Sequence, residues 1–119
     1  MAEAIFNAKN GGTDHRAISA GLYPASRIQP LTIEVLEEAG ISTAELKPDQ
    51  VTDELSSRAD RVIAMDSFIA GELAGAAHEA WDIPDPYKLG IESYRRTRDI
   101  LTNNIQNLIN ELNKINNHD

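Results

Sequence analysis

The chain has 119 residues, 41% of them hydrophobic and 25% charged, with no cysteine and a net charge of -8. That length suffices for one domain with a buried core, while the acidic balance argues against nucleic acid, whose phosphates call for clustered Lys and Arg. The lack of cysteine excludes disulfides and thiolate metal sites within these residues, and no apolar run is long enough to span a bilayer; no signal peptide is expected at the front of the chain, and a cytoplasmic protein is expected.

Ala2 to Lys9 reads as a helix, with Ile5 and Phe6 on one side and Asn10-Gly11-Gly12 as its stop. The α-amino group of Met1 then meets the positive end of a helix dipole, a placement that Glu3 offsets. Arg16 to Ala20 is a short apolar segment ended by Gly21 and predicts a strand. Pro30 opens a second helix, where its missing N–H costs nothing. Its expected buried stripe is Leu31, Val35, Leu36 and Ala39, and Gly40 ends it.

Thr52 can cap a short helix whose first turn carries Asp53 and Glu54. Arg61 to Met65 and Ala80 to Ile83 predict two more strands, with a helix capped by Asp66 or Ser67 and running to Leu73 between them. The last segment has the strongest pattern. Tyr94, Leu101, Leu108 and Ile115 recur every seven residues, interleaved with Ile105 and Leu112, which predicts one long helix from about Ile91 that packs on a sheet. Arg95, Arg96 and Arg98 on this helix read as a solvated face. Residues 1–115 form a single domain on this reading, and 116–119 a disordered tail.

Helices alternating with short apolar strands predict an α/β fold: a mostly parallel short-stranded sheet flanked by helices in three layers. Functional groups in such sheets gather at the carboxyl ends of the strands, which here deliver Asp66 and residues 82–87.

Four stretches, in order and at matching spacing, resemble the low-molecular-weight protein tyrosine phosphatase and thioredoxin-linked arsenate reductase family. They are Met1-Ala2-Glu3-Ala4-Ile5-Phe6, Ser19-Ala20-Gly21, residues Ala59 to Asp66, and Asp82-Ile83-Pro84-Asp85-Pro86-Tyr87. The resemblance implies that Asp85 occupies the position of the general acid that protonates the departing oxygen. It likewise implies that Tyr87 lines the wall beside a substrate ring. Read from the residues alone, Pro84-Asp85-Pro86 is better explained as a turn, with Tyr87 packing beside it.

The family's nucleophile sits in a Cys-x5-Arg loop whose backbone N–H groups and Arg hold an oxyanion and lower the thiol pKa. The resemblance places that loop, and the strand leading to it, ahead of Met1. The 119 residues are therefore expected to lack the first strand of the family sheet and to be catalytically incompetent, with no turnover of phosphotyrosine or an oxyanion unless the loop is restored. A reductase relay is excluded as well, since Asp66-Ser67-Phe68 stands where those reductases carry redox cysteines. Two readings follow: an enzyme whose strand and loop are encoded upstream, or a non-catalytic binding or self-assembly module.

Loss of a strand would leave the edges of Arg16–Ala20 and Arg61–Met65 unpaired, so the remaining strands are expected either to re-pair or to be completed by another chain, as in a homo-oligomer. No cofactor and no metal site are expected, because His15, His78 and His118 lack ligand spacing. No membrane partner is expected either.

Overall fold

The computed structural model describes residues 1–10, 15–20, 28–44, 46–47, 52–66, 71–72 and 79–116. Its elements in chain order are α1 (Ala2–Lys9), α2 (Pro30–Glu38), α3 (Asp53–Arg58), β1 (Ile63–Ala64), β2 (Glu79–Ala80) and α4 (Ile91–Asn116). β1 and β2 pair in parallel, Ile63 with Glu79 and Ala64 with Ala80. Helices around a parallel sheet make the fold α/β, as the alternating pattern predicts.

The seam on α4 is the spine of the core. Leu101, Ile105, Leu108 and Ile109 meet Ile5 and Phe6 from α1 and Leu36 from α2, with Ile41 and Ile83 closing the cluster. Tyr94, on the same face, is 4% exposed. A stripe recurring near the helical period leaves α4 no other way to remove its apolar side chains from water.

α2 ends as its sequence dictates. Ile41 N–H donates to Leu36 O at 3.0 Å and Gly40 N–H to Glu37 O at 2.9 Å, a Schellman pairing that uses up orphan carbonyls. Gly40 has φ of 76°, the left-handed conformation in which a Cβ is strained. Leu36 and Ile41, brought together by that turn, share the core.

Several expected features take another form. Arg16–Ala20 is not a strand. Its backbone is held by side chains of α1: Asn7 accepts from Ala17 N–H at 2.8 Å and donates to Ala17 O at 3.0 Å. The Glu3 carboxylate accepts from Ser19 N–H at 2.7 Å. Ile18 consequently faces water, 68% exposed. The two other expected strands are shorter than predicted, Ile63–Ala64 and Glu79–Ala80, although the ladder continues as Trp81 N–H donates to Ala64 O at 2.8 Å. Ala39 caps α2 and is exposed rather than buried. The helix expected from Asp66 or Ser67 to Leu73 falls largely outside the described residues, as do Gly11, Gly12 and Gly21. α4 runs through Asn116, and residues 117–119 are likewise outside.

The arginine trio is only partly a solvated face. Arg95 Nε donates to Glu38 Oε1 at 2.8 Å and Arg98 Nη1 to the same oxygen at 2.7 Å, so both clamp the last turn of α2 onto α4. Arg98 also donates to Val35 O at 2.9 Å and its side chain is only 16% exposed. Arg96 is exposed. A second bridge fixes the strands: Arg61 Nη2 lies 3.1 Å from both Glu79 of β2 and Glu111 of α4. Glu79 in turn accepts from Trp81 Nε1 at 3.3 Å.

Candidate functional site

The parallel register sends the chain out of β2 at the carboxyl end of the sheet, where open α/β sheets gather their functional groups. Ile83 is the last anchored apolar residue, 9% exposed, and its N–H donates to Met65 O at 3.0 Å. Pro84 follows, and its carbonyl accepts from Thr97 Oγ1 of α4 at 3.3 Å. Asp85 then turns the chain with its own side chain: Oδ1 accepts from Tyr87 N–H at 3.0 Å. Asp and Asn start turns in this way because a short side-chain carbonyl can mimic the backbone. Leu89 N–H closes the next turn on Pro86 O at 2.9 Å, with Lys88 at φ of 67°. Gly90 O, accepting from Ser93 N–H at 3.0 Å, leads into α4.

The result is an exposed acidic turn on a rigid base. Asp85 presents its carboxylate to solvent. One oxygen accepts from Tyr87 N–H. Tyr87 is 53% exposed, and the Lys88 ammonium lies 5.6 Å from the centre of its ring, within cation–π range. Leu89, 55% exposed, extends the apolar rim. Beneath the turn lies Tyr94. Burial pushes its phenol above the usual range, and the charges of Asp85 and Tyr87 push it the same way.

The structure thus puts Asp85 and Tyr87, both singled out in the sequence, on one turn. Tyr94 is buried as the helix seam predicts, but its place beside that turn and the role of Thr97 were not anticipated. The available signal was a threonine inside an otherwise apolar helix seam. Asp66 lies at the end of β1, half-buried, and His15 is half-buried after α1. His78 and His118 lie outside the described residues. Among the described residues no three His, Cys, Asp or Glu groups converge as metal ligands, and no helix is long and apolar enough to cross a membrane. At the front of α1, burial pushes the Met1 α-amino group below its ordinary range, opposed by the charge of Glu3.

Comparison with known proteins bears on the chain as a whole. Residues 1–118 match the family model described as low molecular weight phosphotyrosine protein phosphatase. A curated relative, the probable low molecular weight protein-tyrosine-phosphatase EpsP of Ralstonia nicotianae, is 28% identical over 118 residues, spanning 85% of this chain and 78% of its own. The YwlE arginine phosphatase from Geobacillus stearothermophilus superposes with a TM-score of 0.83 at 27% identity, covering 99% of this chain and 88% of that one. An arsenate reductase in the reduced state shares the fold, with a TM-score of 0.74 at 24% identity over 92% of this chain and 86% of its own.

Proposed function

Because the chain belongs to the low molecular weight phosphotyrosine protein phosphatase family, we propose that residues 82–89 are the proton-donor side of a phosphoester-cleaving site. Asp85 is its general acid and Tyr87 its aromatic wall. The observation that carries this reading is the split use of the Asp85 carboxylate. Oδ1 accepts from Tyr87 N–H, which orients the group, while the residue stays exposed, so that its other oxygen can meet a leaving group. As a nucleophile from outside these residues bonds to phosphorus and the bond from phosphorus to the leaving oxygen breaks, the proton of the acid goes to that oxygen. In the second step the carboxylate takes a proton from the attacking water.

General acid catalysis contributes about 10²–10⁴ in rate. It needs a nucleophile and an anion cradle to act upon, and the 119 residues hold no cysteine. Taken alone they are the scaffold and acid half of the site, inert toward phosphate esters. The substrate class is a phosphorylated protein side chain. One relative is named for tyrosine and another for arginine, and the exposed Tyr87 ring favours a planar leaving group. The test is turnover of p-nitrophenyl phosphate by the purified 119-residue polypeptide, its mass verified. The expected rate is that of buffer, for this chain and for Asp85→Ala alike. Turnover well above buffer would overturn the inertness of these residues taken alone, and such turnover left unchanged by Asp85→Ala would overturn the role of Asp85.

A second reading, assembly through sheet edges, has an observation of its own. Ala64 faces β2, since its carbonyl accepts from Trp81 N–H. In an extended strand the neighbouring residue turns the other way, so the backbone of Ile63 points away from β2. Such edges recruit other strands. Light scattering across a concentration series tests this reading. A mass that rises above one chain and falls back when Ile63 is replaced by Pro supports it, and a monomer throughout removes it.

A further inference from the structure

We propose that Thr97 is a positioning residue: its buried hydroxyl holds the Pro84 carbonyl and thereby sets where the Asp85 turn stands. The proposal deepens the reading of Asp85 as a proton donor and rests on it for its functional meaning, but its geometry is independent of turnover.

Thr97 is 4% exposed and is the buried polar side chain among the described residues. A hydroxyl removed from water must find a partner. Inside a helix the near option is the carbonyl four residues back, and Thr102 on the same helix takes it, donating to Arg98 O at 2.8 Å. Thr97 reaches instead across 13 residues of chain, to Pro84 O at 3.3 Å. That target is telling. Proline has no N–H and a nearly fixed φ, so its carbonyl is its one backbone handle, and holding it fixes the peptide plane that enters Asp85.

The bonds on either side do not replace this one. Ile83 N–H to Met65 O anchors the chain before the turn, and Asp85 Oδ1 and Pro86 O serve bonds within the turn. Among the described residues, the Thr97 hydroxyl is thus the hydrogen bond between residues 84–86 and the rest of the fold. A general acid must stand within hydrogen-bond reach of its leaving oxygen, and small misplacements cost rate steeply. The Thr97 bond supplies that constraint from the helix that carries the core seam.

The test is amide hydrogen exchange by NMR on the full 119-residue chain, comparing wild type with Thr97→Val and Thr97→Ser. Valine keeps the volume and removes the hydroxyl, so exchange at Tyr87 and Leu89 should rise by up to about tenfold while Ile5 and Ile105 hold their protection. Serine keeps the hydroxyl and should leave Tyr87 and Leu89 within about twofold of wild type. Unchanged loop exchange in Thr97→Val overturns the proposal. So does a rise that core amides share equally, which is packing alone, or a serine variant as loose as valine. If Thr97→Val does not fold, the serine variant decides: retained protection supports the bond, and lost protection overturns it. Turnover by the 119-residue chain left unchanged by Asp85→Ala would sink the functional reading without moving any of these exchange rates, so the two failures are distinguishable.

Discussion

Replacing Ile105 with Ala should lower the unfolding free energy by about 2–5 kcal/mol, read from urea denaturation at neutral pH. Ile105 is 2% exposed and lies in the cluster where α1, α2 and α4 meet. Truncation therefore removes its buried methylenes and leaves a cavity that three helices cannot easily collapse. Alanine is the better helix former, but by only a few tenths of a kcal/mol, so packing wins over propensity. A domain of this kind has about 5–15 kcal/mol in total, so the variant should be visibly less cooperative or partly unfolded at modest urea. The control is Ile18→Ala. The same chemical change at a residue 68% exposed should shift stability by no more than about 0.5 kcal/mol. Equal effects at the two positions would mean that the α4 seam is not the core.

The second large effect is an acid-dependent one. Hydrogen bonds from Arg95, then from Arg98, hold the Glu38 carboxyl well below its ordinary value of 4.5, at about 2. A carboxyl depressed in the folded state favours folding while it is ionised in both states. The contribution of Glu38 is therefore complete above pH 4.5 and disappears as the pH falls through about 2. Glu38→Gln should be less stable than wild type at neutral pH, and the two urea midpoints should converge as the pH is lowered across that window. The pair is partly exposed, with Glu38 at 34% and Arg95 at 36%, so solvent and salt weaken it and the effect should be smaller than that of Ile105→Ala. Added salt should narrow the difference at neutral pH. A Glu38→Gln midpoint that tracks wild type at every pH would show that the clamp contributes nothing to folding.

That clamp marks where reading the chain stops being enough. Arg95 and Arg98 look like any charged helix face, because periodicity says which side of α4 is apolar but not what lies against its polar flank. Only the approach of α2 brings Glu38 there, 60 residues away in the chain from Arg98. Arg16–Ala20 failed for a related reason. Its local composition is that of a strand, yet its backbone bonds are taken by Asn7 and Glu3, a competition between partners that no single segment reveals.

What the sequence by itself determined is what local chemistry decides: α1 and its apolar face, the start of α2 at Pro30 and its end at Gly40, and the seam of α4. The family resemblance and the candidate turn around Asp85 were also legible there, since they depend on neighbouring residues and their order. The tertiary structure alone decided which groups hold that turn. Thr97 becomes its anchor, and Tyr94 its buried floor, only because β2 delivers residues 83–85 alongside α4. Contacts between distant segments depend on how whole elements pack, and no short-range rule encodes that.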